Sequence, residues 1–237
     1  MSTIISIGIG ILSFFTEIEK VEAPKEFYPT QQSVSTNLYQ EYSDFYYSTK
    51  GELLQIKKNN SDHDNFYIKF NDLVDYKISV DGKSQNIISN EVGYLARILS
   101  AESLTYVKKG KVYKVSMLAR VCIAESIRNR KESDFGFFAK YNTYKSVISY
   151  TGYATYAKQF RDTKSWLKHP IAKKRFIEEV LPAAIFVYFN KTNFTNNATG
   201  FITPVKLSSE KYKAFQKRKL IYIDGVDPYY EFTFWKY

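Results

Sequence analysis

The sequence predicts an α+β protein in which strands and helices are segregated along the chain instead of alternating. A turn-rich, strand-like stretch covers residues 44–90, helical periodicity begins near residue 91, and a strand–turn–strand pattern closes the chain. With 237 residues, 44% hydrophobic and 24% charged, the chain has globular composition and enough length to bury a substantial core.

The first element is residues 3–15, where Ile5, Ile7, Ile9 and Ile11 alternate with Ser6, Gly8 and Gly10. A period of two is that of a strand. The run lacks a preceding Lys or Arg and a small-x-small cleavage site, and is too short to span a bilayer as a helix. It is read as a strand of the protein's own sheet, as an arm that adds to a partner's sheet edge, or as a weak export signal. Residues 16–43, with Pro24 and Pro29, read as an extended connection. Phe66–Phe70 and Tyr76–Val80 are the clearest strands of a small β-rich module over 44–90.

Val92, Leu95, Ala96 and Leu99 then fall at helical spacing, and Glu102 continues their stripe. A second helix is predicted over Val115 to Asn129, with Leu118, Val121 and Cys122 on one face and Glu125 extending it. A third covers 171–190, with Pro182 kinking it or opening a further helix. Leu220–Ile223, Asp224-Gly225 and Tyr229–Trp235 read as a terminal hairpin.

Charge divides the chain. Residues 1–88 hold 8 Lys/Arg against 12 Asp/Glu, while the remainder holds 26 against 12, giving net charges of −4 and +14. A basic half suits a polyanion such as nucleic acid, an anionic membrane or a bacterial wall. Its lysines are interleaved with acids and no nucleic-acid motif is present, so no specific nucleic-acid partner is expected, nor a transmembrane span. The cluster Lys164, Lys168, Lys173, Lys174 and Arg175 reads as a solvated helix face, or one that meets carboxylates of a wall polymer.

A single cysteine, Cys122, excludes an internal disulfide, and His63 and His169 stand apart without a motif. No metal or cofactor is expected. Chemistry would run on carboxylates, hydroxyls, amides and rings. Glu102 is the first candidate, because a carboxyl on an apolar stripe is partly desolvated and its acid form favoured. The alternative is a stripe-edge Glu paired with Arg97, Arg128 or a capping group. Glu125 occupies the equivalent place in the second helix and carries the same ambiguity.

The segment Leu95-Ala96-Arg97-Ile98-Leu99-Ser100-Ala101-Glu102-Ser103 is echoed by Leu118–Ile127, which continues Arg128-Asn129-Arg130. With Gln159-Phe160, Ala198-Thr199-Gly200-Phe201 and Phe232-Thr233-Phe234-Trp235, these pieces resemble, in order and spacing over 92–237, the SleB-like cell wall hydrolase family. The resemblance implies a basic, lysozyme-like helical catalytic domain over 91–237, after a 1–43 arm and linker and the acidic 44–90 module. It implies peptidoglycan glycan cleavage, as a lytic transglycosylase or muramidase-type glycosidase, with Glu102 as general acid/base and Glu125 as second choice. In the transglycosylase route one carboxyl protonates the departing oxygen, then takes the proton of the sugar's own 6-hydroxyl. Gln159, Thr199 and Asn129 are candidate contacts to sugar hydroxyls or acetamido groups, Phe160 a further candidate substrate-binding residue, and Tyr150, Tyr153, Tyr156 and Trp166 candidate ring platforms. Gly200 and Phe232 stand where the family has histidines, and the spacer Tyr106–Tyr113 replaces its short Gly-Glu turn. Without a convincing leader, the protein is expected to be made in the cytoplasm and to reach the wall by a phage-like or contractile injection particle, docked through residues 1–43. The alternative is an inactive assembly component of such a particle that keeps the fold.

Overall fold

The computed structural model describes residues 19–21, 41–70, 74–103, 106–108, 111–134, 136, 138–149, 169–204 and 207–236. The expected strand over 3–15 lies outside them. A short strand, Glu19–Val21 (β1), is the first described element. It precedes a four-stranded sheet of Ser43–Tyr47 (β2), Leu53–Lys58 (β3), Asn65–Phe70 (β4) and Val74–Lys77 (β5), in the order β3-β2-β4-β5. β2 is antiparallel to β3 and parallel to β4, and β5 returns antiparallel on β4. The strand expected over Tyr76–Val80 ends early. Ile78 still pairs through its N–H with the Phe66 carbonyl at 2.7 Å, but Ser79 then turns the chain by accepting from the N–H groups of Lys83 and Ser84.

Helix α1 spans Ile87–Glu102 and α2 spans Met117–Glu132. Each starts on a side-chain cap, Asn86 accepting from the Ile88 N–H and Ser116 from the Ala119 N–H. Between them Tyr106–Lys108 (β6) and Lys111–Tyr113 (β7) form an antiparallel hairpin. Tyr144–Ile148 (α3) comes next, its N-terminus fixed by Glu91, which accepts from the Tyr144 N–H at 2.8 Å.

Pro182 shapes the third helical stretch. Pro170–Arg175 (α4) passes into a π-helical turn, Phe176–Val180, and then into Leu181–Phe189 (α5). The Leu181 N–H reaches back five residues to the Phe176 carbonyl. In that register the Ile177 carbonyl would need the N–H of Pro182, which does not exist. The Tyr47 hydroxyl, from β2, donates to that carbonyl at 3.0 Å in the buried interior. α5 is apolar on every side and lies between α1 and α2 as the centre of the core. Ala96, Ala119, Ala124, Ala183 and Ala184, all fully buried, permit the close approach.

The sheet over 43–77 and the helices share one continuous core, from Phe45 and Phe66 through Leu95 and Val121 to Phe234. Phe66 meets Phe176 edge-on at 5.4 Å and Phe70 meets Phe189 at 5.2 Å. The β2–β3 turn rests on α5. Gly51 sits at φ +78°, and a Cβ there would lie 2.3 Å from the Pro182 carbonyl oxygen. Among the described residues, the 44–90 segment thus shares its core with the helices.

A second sheet joins β1 to Gly200–Ile202 (β8), Leu220–Ile223 (β9) and Thr233–Trp235 (β10), in the order β1-β9-β10-β8. Ser209–Phe215 (α6) is inserted after β8. The terminal hairpin forms, with Phe234 opposite Ile221, but β10 starts later than the sequence indicated. After the turn at Gly225 the Asp227 carboxylate accepts from the Tyr229 and Tyr230 N–H groups, holding a second turn before the strand.

Candidate functional site

Glu102 is the last residue of α1, half-buried, one turn beyond the fully buried Leu99. Beside it the buried Ser103 hydroxyl donates to the Leu99 carbonyl at 2.6 Å, which fixes the helix end. The β6–β7 hairpin begins within a few residues.

A cluster of charge flanks the last turns of α1. The Arg175 guanidinium lies 3.4 Å from both the carbonyl and the hydroxyl of Ser100. Arg120 of α2, 2% exposed, pairs with Glu179 of the π-helical turn at 2.6 Å and donates to the Val115 carbonyl. Burial pulls both guanidinium groups below their ordinary pKa range, and Glu179 opposes that shift in each. Their Nε atoms have no hydrogen-bond partner among the described residues. Glu231 closes the edge of the cluster by accepting from the Ser116 and Asp227 N–H groups.

Glu125 has a different fate from Glu102 despite the matching sequence context. It is 0% exposed, accepts from the Thr195 N–H at 2.6 Å and the Thr192 hydroxyl at 2.8 Å, and pairs with Arg128 at 3.3 Å. Its oxygens are committed, and it is closed to substrate. Arg128 also donates to the carbonyls of Val187, Asn190 and Thr192, and Arg130 to that of Thr199. Asn129, expected as a sugar contact, donates instead to the Ala198 carbonyl at 2.9 Å and lies 3.2 Å from the Thr195 hydroxyl. The Glu125–Arg130 segment thus ties down the 190–199 loop, in which Asn196 and Asn197 adopt positive φ.

Thr199 is half-buried at the mouth of β8, and its hydroxyl oxygen is buried without a hydrogen-bond partner among the described residues. A Cβ on Gly200 would fall 2.0 Å from the Trp235 ring, so the indole itself excludes a side chain there. Phe232 is buried edge-on to Phe201 at 6.0 Å. Gln159, Phe160, Tyr150 and Trp166, with Tyr153 and Tyr156, lie outside the described residues.

The basic run beginning at Lys164 is not a uniform solvated face where it is described. Lys173 is 3% exposed and pairs with Asp64, 4% exposed, at 2.9 Å, donating also to the Glu41 carbonyl at 2.7 Å. This pair fastens α4 to the sheet, and it borders a cavity of about 630 Å³ lined by Tyr42, Asp62 to Phe66, Lys77 to Asp81, Lys83 and Ser84. The strand pattern marks part of its wall, Phe66 and Lys77, but the turns that complete it, at 62–64 and 79–84, carry no period. Glu102 does not line it.

No helix among the described residues is long and apolar enough to cross a membrane, and none of their acidic, His or Cys side chains cluster to hold a metal ion. Compared with known proteins, the chain matches no family model, no curated protein and no solved structure.

Proposed function

We propose that the protein cleaves the glycan strand of peptidoglycan, with Glu102 as general acid and then base. The observation that carries the proposal is the position of Glu102: a half-buried carboxyl on the final turn of a helix anchored in the core. A general acid in this chemistry must give a proton to the leaving oxygen, and Glu102 is the carboxyl at that position. The antiparallel hairpin of Tyr106–Lys108 and Lys111–Tyr113 follows it within a few residues. The resemblance of 92–237 to SleB-like hydrolases, on Leu95–Ser103 above all, assigns the same residue. Glu125 is locked, so a single-carboxyl route to a 1,6-anhydro end is the version of the chemistry that this reading favours. The pathway balances without water: the glycosidic carbon–oxygen bond breaks as its oxygen takes the Glu102 proton, the 6-hydroxyl oxygen bonds to the anomeric carbon, and the 6-hydroxyl proton restores the Glu102 acid.

A second reading is favoured by Gly200 and Phe232. Both positions, histidine in the resembled family, are taken up by packing against Trp235 and Phe201. A chain that keeps the fold as an assembly component of a particle, without catalysis, would show that pattern. Mass analysis of material released from purified sacculi separates the two. Anhydro or reducing ends support cleavage; no released muropeptide at any protein concentration overturns it.

A further inference from the structure

We infer that the cavity of about 630 Å³ between the β2–β5 sheet and the Ser79–Ser84 turn is a binding site for a pyranose saccharide, separate from Glu102. Its size is that of a small-molecule site. α1 begins beside this cavity and ends at Glu102, so its 16 residues put about 24 Å between the two.

Asn65 carries the argument. It lines the cavity, is 8% exposed, and its Oδ1 has no hydrogen-bond partner among the described residues. Its amide cannot be turned round, because Nδ2 donates at 2.7 Å to the Asp44 carboxylate, which only accepts. Oδ1 is thus a fixed acceptor that wants a hydroxyl or N–H. A buried acceptor left unpaired is unfavourable, and a donor on a ligand would satisfy it.

The other walls define which donor. The carboxylates present already face partners: Asp62 meets His63 Nδ1 at 2.6 Å, Asp64 meets Lys173 at 2.9 Å, and Asp81 meets Lys83 at 3.9 Å. A cationic ligand would have to displace those contacts. A hydroxyl would not, since a carboxylate has about four lone-pair directions and accepts several bonds at once. Asp81 is also held in place, taking a hydrogen bond from the Ser79 hydroxyl at 2.9 Å. The floor is apolar, from Phe66, Ile78 and Val80, and the Tyr42 ring at the rim is 41% exposed. An apolar floor and ring beneath fixed acceptors match a pyranose, which offers C–H faces and a rim of hydroxyl donors.

The test is a two-dimensional amide NMR titration of the full chain with triacetylchitotriose and, separately, cellotriose, up to about 10 mM. The expected result is fast-exchange shifts confined to Tyr42, the 62–66 segment and the 78–84 turn. Affinity should fall about tenfold in Tyr42→Ala and in Asp81→Asn, surface changes whose melting curves stay near wild type. Response to chitotriose alone identifies an acetamido sugar; response to both identifies the shared pyranose ring. Absence of shifts with both probes, shifts located elsewhere, or affinities unchanged in both variants would overturn the inference. The readout involves no bond cleavage, so it stands or falls independently of Glu102.

Discussion

At the scale of single residues, two carboxyls in near-identical sequence settings end in opposite environments. Glu102 and Glu125 both follow a Leu-Ala-Arg stripe, yet α1 stops at Glu102 while α2 continues for two further turns against the 190–199 loop. Removing Glu125 would leave the Arg128 guanidinium buried without its carboxylate. Glu125→Ala is therefore expected to cost about 3–5 kcal/mol, read as a lowered urea midpoint. A loss under about 1 kcal/mol would show the pair to be dispensable. Cys122 gives a second residue-level expectation. It is fully buried and burial pushes its thiol well above the usual range, so thiolate is scarce. Native protein at neutral pH should resist alkylation by iodoacetamide and react once in denaturant; rapid native labelling would contradict its placement.

Among the elements, the π-helical turn links sheet and helix through one missing donor. Tyr47→Phe leaves the Ile177 carbonyl unpaired in the interior and should cost about 1–3 kcal/mol. Pro182→Ala restores an N–H that can reach that carbonyl, so the Tyr47→Phe penalty should shrink in its background. A double-mutant cycle in urea measures the coupling, and strictly additive losses would refute the link. Part of this was visible in the sequence. Both long helices were legible from 3.6-residue spacing, and Pro182 announced a disturbance at its own position. Tyr47 as the compensating donor was not legible, because nothing local pairs a strand tyrosine with a distant helix carbonyl. Lys173 misled for the same reason: in a run with Lys174 and Arg175 it reads as solvated, and only the fold brings Asp64 to it. Of the candidate site, Glu102 stood out by its stripe, whereas Asn129 and Glu125 looked functional because their loop partners are far along the chain. The cavity near Asn65 is closed on one side by turns, which carry no period.

Over the whole molecule, described residues of the acidic and basic halves share one core and are fastened by the Lys173–Asp64 pair. Urea unfolding followed by tryptophan fluorescence and by far-ultraviolet circular dichroism should give coincident single transitions. Two separated transitions would restore an independent 44–90 module. The cavity near Asn65 and the half-buried Glu102 lie at opposite ends of α1. The decisive measurement is the rate of sacculus solubilisation by Glu102→Gln against wild type, at matched melting temperature. Loss of a general acid should lower that rate by about 10²-fold or more. A folded Glu102→Gln protein that solubilises sacculi at the wild-type rate would contradict the assignment.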